Sequence, residues 1–385
     1  MKVNLKSIIV SVTFLFYSLV LPLHAQTLSD ALVQSYNNSG LLDQNRALLR
    51  AADENTVIAS SALLPIVSWA ANFSGNWTET DMAVSASSDV VWRGSVGLNS
   101  SLTIFDGGTN SLAADVTKQN VLATRQGLVA LEQKVLSAAV MAFMGVLEGR
   151  ETVWLRENNY SVIEEELKAA KDRYEVGEIT KTDVALAEAR LASSSSSLSA
   201  AKGLLAQSEA IFKNAVGHLP LALISPMEMP VLPATIKEAL SIASSSHPEL
   251  KQLRYQIKAS ELTIKRIKAS SKARITLNGD IGLAESNTQS DTLQASIGLR
   301  LSGIIYQGGS IPAKERQALA NLQAVRSAVH VKINAIEQSI STAFAMLKVA
   351  KASRAAIEKQ IEAAEVAFNG VKQEASLGAR TTLDV

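Results

Sequence analysis

The chain repeats itself at a constant distance of 201 residues. Gly177-Glu-Ile-Thr-Lys-Thr-Asp-Val184 returns as Gly378-Ala-Arg-Thr-Thr-Leu-Asp-Val385, so both segments share the pattern G-x-x-T-x-x-D-V. Phe105-Asp-Gly-Gly108 returns as Tyr306-Gln-Gly-Gly309 at the same distance. An internal duplication constrains the fold more than any single motif, because both copies must adopt the same supersecondary unit. We therefore expect two related halves.

The first 25 residues have the pattern of an export signal. Lys2 and Lys6 precede an apolar run, and Leu23-His-Ala25 offers a small-residue cleavage site before Gln26. An uncleaved membrane anchor is the alternative, but the segment is short and lacks a flanking cluster of stop-transfer charges. No later segment approaches the ~20 apolar residues of a transmembrane helix. We predict a cleaved signal peptide over residues 1–25 and an exported mature chain.

Proline placement predicts where the two halves meet. No proline occurs between Pro65 and Pro220 or after Pro312, whereas four fall between Pro220 and Pro233. Proline breaks helices, so the long proline-free stretches favour helices and the cluster favours a linker. The predicted division is residues 26–219 for a first structural repeat (helix, β-hairpin, long helical hairpin), 220–234 for a proline-rich linker and 235–385 for a second repeat.

Each half begins with a predicted helix, over about Leu28–Leu64 and Ile236–Ser271, followed by two segments with a period of two. Their alternating apolar residues are Val67, Trp69, Ala71, Phe73 and Trp77, then Val96, Leu98, Leu102 and Ile104, and in the second half Ile275, Leu277, Ile281 and Leu283, then Leu293, Ala295, Ile297, Leu299 and Leu301. Such alternation predicts half-buried strands, and it fits the apolar-out, polar-in pattern of membrane barrels. The first hairpin is seven residues longer, which we assign to a loop around Thr78–Asp89.

Long helices follow the strands in both halves. The stretch from Asn110 to Tyr174 contains no proline over 65 residues, which is about 97 Å of helix at 1.5 Å per residue. A return helix is predicted from the heptad spacing between Val184 and Phe212, with a small residue three positions after each large one. The run Ser193–Ser197 keeps this heptad on both sides, so we assign it to the interior of the helix. The spacings indicate coiled-coil packing.

No catalytic or cofactor-binding constellation is present in the sequence. There is no cysteine, the four histidines are widely separated, and the net charge of +1 gives no field for nucleic acid. The doublets Gly107-Gly108 and Gly308-Gly309 lack the surrounding motif of a phosphate loop. Because both follow a predicted strand and precede a helix, we assign them to strand-to-helix turns. We expect no enzyme, no metal site and no cofactor.

Four strands per chain are too few to close a membrane barrel, since bacterial outer-membrane barrels use at least about eight. An open sheet would leave unpaired backbone groups in lipid, which is not viable. A barrel shared between symmetry-related copies resolves this.

Two other interpretations compete with a membrane channel: an exported periplasmic coiled-coil adaptor, and a structural coiled-coil protein without a pore. The adaptor is expected to carry one helical hairpin in a β-rich domain, and the structural protein needs no matched strands.

The order of these features resembles the TolC family of outer-membrane efflux proteins. The resemblance rests on the signal peptide, the duplicated helix–strand–strand–long helix unit, the F-D-G-G turn and the segment Tyr174–Val184, and it covers Leu28–Val385. It implies a mainly α fold with four β-strands per chain, in which a homotrimer forms one shared β-barrel and an α-helical coiled-coil tunnel. It further implies an outer-membrane exit duct for efflux pumps or type I secretion, with a periplasmic adaptor and an inner-membrane transporter as partners and no cofactor.

The resemblance also implies roles at the periplasmic tip of the tunnel. Thr182 and Asp183 match residues that tie neighbouring tip helices shut, Arg380 matches an arginine that reaches such a partner, and Asp384 matches an acidic ring at the entrance. A ring of carboxylates at a constriction attracts cations. The alternative is that Asp183 and Asp384 stabilise helix starts as caps or first-turn acids, and the sequence favours neither reading.

Gly177 and Gly378 are predicted to form the tip turns of the two halves. The chain departs from the family pattern at Ala375, where a tyrosine often completes the closing network, which puts a complete latch in doubt. The duplication also predicts counterparts of Phe212 and Ala215 beyond Val385. We therefore expect that the second repeat, as given, stops before its final return helix.

Overall fold

The computed structural model describes residues 26–82, 85–226 and 230–376. The predicted signal peptide, Gly378, Arg380 and Asp384 lie outside the described residues. Within them the chain forms seven helices and four strands, which confirms the mainly α prediction. In chain order these are α1 (Leu28–Asn38), α2 (Gly40–Ser61), β1 (Ile66–Met82), β2 (Ser85–Phe105), α3 (Thr109–Glu175), α4 (Lys181–Val216), α5 (Ile236–Ser246), α6 (Pro248–Ala269), β3 (Arg274–Ser286), β4 (Gln289–Ser302) and α7 (Ser310–Ser376).

The long helices were predicted closely. Helices α3 and α7 each contain 67 residues and begin 201 positions apart, at Thr109 and Ser310. The serine run is interior to α4, as predicted: the Ser197 hydroxyl donates to the Ser193 carbonyl at 3.0 Å. Ser and Thr hydroxyls that bond back to the preceding turn are accommodated within helices. A polar run therefore need not interrupt a heptad.

The predicted first helix of each half was wrong, because each is two helices. The breaks at Ser39 and His247 lie 208 positions apart, and both residues have extended ψ angles, of 100° and 122°. At the second break, Pro248 lacks an amide hydrogen and disfavours helical geometry in the residue before it. At the first, Asn38 Nδ2 donates to the Val216 carbonyl at 3.1 Å, a tertiary bond that local sequence does not reveal.

One antiparallel sheet joins the four strands in the order β1-β2-β3-β4. The predicted loop around Thr78–Asp89 was wrong, because the ladder of the first hairpin continues from Thr78 opposite Asp89 to Met82 opposite Ser85. Pairing lets the added residues satisfy one another's backbone groups, which an open loop leaves to water. The insertion therefore lengthens the strands.

The described residues form two compact units, and the first comprises those up to Leu48 together with those of Leu128–Pro230. Its buried core consists of Ala31, Ala142, Phe143, Val146, Phe212 and Val216. The Phe143 and Phe212 rings are 6.4 Å apart and tilted by 45°, within the range of favourable aromatic pairs. The linker joins this unit because the Gln26 amide donates to the Ala222 carbonyl at 2.7 Å.

The second unit comprises the described residues of Leu49–Gly127 and those from Val231 to Ser376, including the sheet. Helices α6 and α7 are joined by three ion pairs, Lys268–Glu315, Arg326–Glu261 and Lys332–Glu249, at 2.8–3.0 Å. Exposed pairs of this kind contribute little each. The compact units follow spatial contacts and not the duplication, so the repeat boundaries stay a prediction.

Among the described helices, α3 contains an 18-residue stretch that is long and apolar enough to cross a membrane. The expectation that no segment after the signal approaches this threshold was therefore wrong. At 67 residues, α3 is about three times longer than a membrane span. Core helices of soluble proteins pass the same test, so the stretch alone assigns no span.

Candidate functional site

The register of the sheet collects the alternating apolar residues on one face. Directly paired residues share a face in antiparallel strands, so Trp69, Leu98, Ile281 and Ala295 form one continuous row across all four strands. Trp69 is 74% exposed, and Leu98 and Ile281 are about half exposed. A row of large apolar side chains without cover requires a non-aqueous environment or a partner.

The height of this apolar face matches a membrane. Along β1 the apolar positions run from Val67 to Trp77, ten residue steps. At about 3.3 Å per residue this is about 33 Å along the strand, and a tilt of about 40° reduces it to about 25 Å of height. Lipid-facing bands of outer-membrane barrels have about this height.

Aromatic residues cluster on the apolar face between the middle of β1 and Trp77. The rings of Phe73 and Trp92 stack at 5.6 Å with an interplanar angle of 17°. Trp92 lies opposite Gly75, where a Cβ atom would stand 2.4 Å from its ring. The glycine therefore makes room for the indole ring. Together with the exposed Trp77, these rings resemble the aromatic girdle of a membrane interface.

The opposite face of the sheet is polar and carries arginine. A typical row contains Ser68, Asn99, Asp280 and Ser296, with the Ser296 hydroxyl donating to Asp280 Oδ1 at 2.8 Å. At the helix end of the sheet, Arg274 pairs with Ser302 and Arg300 pairs with Thr276 in the ladder. The two faces therefore differ sharply in polarity, as barrel strands between lipid and water do.

The outer strands β1 and β4 are each paired on one side only within the described part of the chain. Long unpaired strand edges are open to pairing with another chain in water. In lipid an unpaired edge is prohibitively costly. The sheet is therefore complete only when other strands join both edges.

The first glycine doublet forms the turn between β2 and α3. Gly107 and Gly108 have φ angles of +68° and +90°, a region that glycine occupies without strain. Between them and the strand, Asp106 accepts from the Gly108 amide through Oδ1 at 2.9 Å and from the Asn110 amide through Oδ2 at 2.7 Å. Asp106 is 9% exposed, and its carboxylate satisfies amides that the helix start leaves open.

The second doublet forms the corresponding turn before α7. Gly308 and Gly309 have φ angles of +57° and +77°. Gln307 stands where the first copy has Asp106, and its carbonyl accepts from the Ser310 amide at 3.0 Å. Sequence reasoning identified both glycine doublets but missed the cap formed by Asp106. The signal was present, since an aspartate just before a predicted helix start is a capping residue.

The predicted tip turn joins α3 to α4. Gly177 has a φ angle of +81°, and its amide donates to the Tyr174 carbonyl at 3.0 Å. The two helices are tied together near this end by the Lys171–Glu188 ion pair at 3.0 Å. Farther from the turn, Asn159 Nδ2 donates to Ser194 Oγ at 3.2 Å. Near the tip these polar contacts join the two helices, in addition to the apolar packing of Phe143 against Phe212 farther along the pair.

Asp183 belongs to a capping box at the start of α4. Its Oδ2 accepts from the Thr180 amide at 2.8 Å and from the Thr180 hydroxyl at 2.7 Å, while the Asp183 amide donates to Thr180 Oγ1. The two hydrogen bonds that Oδ2 accepts, from the Thr180 hydroxyl and the Thr180 amide, hold the pKa of the Asp183 carboxyl below its usual range. Asp183 therefore has the helix-capping role that the sequence offered as one of two alternatives. Its role in a latch between tip helices stays a prediction. Thr182 is exposed beside it.

No cluster of histidine, aspartate and glutamate with metal-binding geometry occurs among the residues that the structure describes. The geometry instead provides an amphipathic open sheet of four strands, two glycine turns leading from it into long helices, and a capped helical tip.

Comparisons with known proteins agree with this geometry. Residues 31–218 match the family model described as outer membrane efflux protein. The chain is 36% identical over 372 residues to the outer membrane efflux protein BepC of Brucella suis biovar 1, covering 94% of this chain and 78% of BepC. It is 20% identical to the alkaline protease secretion protein AprF of Pseudomonas aeruginosa, covering 66% of this chain and 55% of AprF.

Among solved structures, the fold is similar to that of CusC, whose crystal structures concern folding and transmembrane channel formation. The TM-score is 0.81 at 16% identity, over 94% of this chain and 85% of CusC. At this identity the likeness concerns the fold alone.

Proposed function

Because the chain belongs to the outer membrane efflux protein family, we propose that three copies of it close one channel that passes solutes from the periplasm to the exterior. Family membership makes it an outer-membrane protein and a transport conduit rather than an enzyme. The trimer, the lipid contact and the partners are the parts that the proposal adds.

One observation carries the proposal: the sheet has four strands, two open edges and an exposed apolar face of membrane height. Three copies supply twelve strands, above the minimum of about eight that closes an outer-membrane barrel. Cyclic symmetry joins β4 of one copy to β1 of the next and removes every edge. The apolar face then meets lipid, and the polar face lines the water-filled lumen.

The long helices supply a second argument for neighbouring copies. Large apolar side chains stay exposed along them, including Met141, Trp154 and Leu155 on α3 and Ile357 and Ile361 on α7. The last two are four residues apart, a spacing that fits a coiled-coil seam. Helices that present such residues at heptad spacing pack against other helices. In the trimer these contacts would form the wall of a periplasmic tunnel.

In this proposal the energy for transport comes from a partner protein in the inner membrane. We propose that the channel is the exit duct of a tripartite efflux pump, docking through a periplasmic adaptor with an inner-membrane transporter. Type I protein secretion is the second candidate. The stronger similarity to BepC, named for efflux, than to AprF, named for secretion, favours the pump. Crosslinking in cells, followed by identification of the captured inner-membrane protein, distinguishes the two.

At the tip we propose that Thr182, Asp183, Arg380 and Asp384 control opening. In the described residues both capping bonds of Asp183 go to Oδ2, which leaves Oδ1 available to a neighbouring helix. Asp183→Asn should raise single-channel conductance by loosening the tip, whereas the exposed Asp172→Asn control should leave it unchanged. Asp384→Ala should reduce cation preference, read from the reversal potential. Unchanged conductance in Asp183→Asn and an unchanged reversal potential in Asp384→Ala would remove these two aspartates from the gate.

The trimer is tested by extraction of the outer membrane in detergent. We expect a heat-modifiable trimer on gels and discrete conductance steps in planar bilayers. A soluble periplasmic monomer without pore activity would overturn the proposal in favour of an adaptor or a structural coiled-coil protein.

A further inference from the structure

The polar face of the sheet carries a basic cluster at its helix end, which consists of Lys272, Arg274 and Arg300. Arg274 pairs with Ser302 and Arg300 with Thr276, so the two arginines are diagonal neighbours on one face. Such neighbours lie about 7–8 Å apart. Among the described residues, none of the three cations is found in an ion pair, whereas Lys268 on the preceding helix is paired with Glu315.

An open pocket of about 410 Å³ adjoins the cluster, and its lining includes Lys272, Arg274, Ser302 and Thr109. Lys272 is held there by close packing, because its Cδ would lie 2.7 Å from a Cβ atom added at Gly107. The pocket therefore combines two cations, a serine hydroxyl from β4 and the first turn of α3. Positive charge and hydrogen-bond donors that converge on one space favour an oxyanion.

The acidic groups nearby do not neutralise the cluster. Asp106 also lines the pocket, but its two oxygens accept from the Gly108 and Asn110 amides. Asp280 lies on the same face, two ladder rows beyond Thr276, and accepts from the Ser296 hydroxyl. Arginine offers a planar fork that matches carboxylate and phosphate groups, and lysine adds a point charge.

We propose that the basic cluster is a binding site for phosphate- or carboxylate-bearing solutes on their way through the channel. The inference rests on the proposed channel function, since it takes the polar face as the lumen. Arg274 and Arg300 lie on that face and not on the apolar one, which favours a dissolved anion over a lipid headgroup. Three copies would place three such sites around the lumen where the sheet meets the helices.

The test is block of single-channel current by inorganic phosphate in bilayers of neutral phosphatidylcholine. Phosphate should reduce the chloride current of the wild-type protein in a saturable manner. In Arg274→Gln/Arg300→Gln the half-blocking concentration should rise at least about tenfold, because two charge-assisted contacts are lost. Arg274→Lys/Arg300→Lys should stay within about threefold of wild type, since the charge is kept. If the double glutamine variant forms no pores, Arg300→Gln alone is measured and should give at least about a threefold rise.

Lys251→Gln/Lys258→Gln is the matched control, because it removes two cations, the half-buried Lys251 and the exposed Lys258, from α6 outside the sheet. An equal loss of block in this control would overturn the site, since overall charge would explain the effect. Absence of phosphate block in conducting wild-type pores would overturn it as well, whereas absence of any pore would refute the channel itself. Anionic lipid that copurifies with wild type and not with the glutamine variant, without phosphate block, would assign the cluster to lipid.

Discussion

The two long helices α3 and α7 have the same length and duplicated glycine turns. They differ in how the first backbone amides of the helix, which lack partners within the helix, are satisfied. Helix α3 begins with a buried carboxylate, Asp106, that accepts from two amides. Helix α7 begins after the exposed Gln307 and places Pro312 in its first turn, where proline removes a donor that would otherwise lack a partner. The duplication therefore preserves the backbone conformation of the turn, while each copy satisfies the helix start with its own chemistry.

The largest expected effect comes from Gly107, the first glycine of the first doublet. Gly107→Ala forces a positive φ on alanine and brings its Cβ to 3.0 Å from the Ala269 carbonyl oxygen. We expect a loss of about 2–4 kcal/mol in unfolding free energy. Gly308→Ala meets nothing within 4 Å and should cost about 1 kcal/mol from conformation alone.

The measurement is thermal unfolding of the detergent-extracted protein, followed by helical circular dichroism. Gly203→Ala is the control, because Gly203 lies inside α4 with open space around it and alanine favours helices. This variant should be neutral or slightly more stable. Equal losses of stability in Gly107→Ala and Gly308→Ala would mean that the closer packing around Gly107 does not contribute to the cost of the substitution.

The second prediction concerns the cap itself. Asp106→Ala removes two short hydrogen bonds from a carboxylate that is 9% exposed, and we expect a loss of about 2 kcal/mol. Gln307→Ala changes an exposed side chain and should stay within about 0.5 kcal/mol. Hydrogen exchange of the Gly108 and Asn110 amides reports the cap directly and should accelerate only in the first variant.

The comparison also shows which parts of the fold the sequence could predict. The alternation of residues such as Trp69 and Leu98 with polar neighbours predicted all four strands, because a period of two has few other causes. The extension of the ladder over Thr78–Asp89 was not predictable in the same way, since polar residues serve a loop and an exposed hairpin equally well. Pairing is decided by the partner strand.

Helix breaks were predictable at one position and not at the other. Pro248 indicates a break in the sequence itself, because proline disfavours helical geometry in the residue before it. The prediction of one helix over Ile236–Ser271 did not take this signal into account. Ser39 carries no comparable local signal, because the bond from Asn38 to the Val216 carbonyl depends on a residue far along the chain. In the candidate site, the T-x-x-D pattern of Thr180 and Asp183 indicated a cap in the sequence. The position of Arg274 beside Arg300 could not be read from the sequence, because it depends on the register between β3 and β4.

The start of α4 allows the effect of a helix cap to be compared with and without burial of the capping residue. Thr180 and Asp183 form an exposed capping box at α4, so Thr180→Ala should cost about 1 kcal/mol, less than the buried cap at Asp106. Thr182→Ala, two residues away and exposed, is the control and should have little effect. Thermal unfolding ranks the three variants, and a larger loss at Thr180 than at Asp106 would contradict the role assigned to burial.

The same box predicts a pH response. The hydrogen bonds from Thr180 lower the pKa of the folded Asp183 carboxyl, so their contribution is complete above the unfolded value of about 3.9. It is lost as the pH falls below that value and through the lower folded pKa. Titration of the Asp183 carboxyl by ¹³C NMR should show its pKa rising in Thr180→Ala. An unchanged pKa would mean that Thr180 does not hold the carboxylate.

The smallest expected effect is a gain, and it tests whether the two junctions are interchangeable. Gln307→Asp places a carboxylate where the first copy has Asp106, within reach of the Gly309 and Ile311 amides if the turn geometry is shared. Because Pro312 has already removed one donor and water serves an exposed turn, we expect only about 0.5–1 kcal/mol of added stability. Gln307→Asn, a neutral cap former, is the control. Since a carboxylate also favours the positive end of the helix dipole, the aspartate should exceed the asparagine. Equal values would assign the gain to hydrogen bonding, and no gain in either would show that the second turn holds its amides away from residue 307.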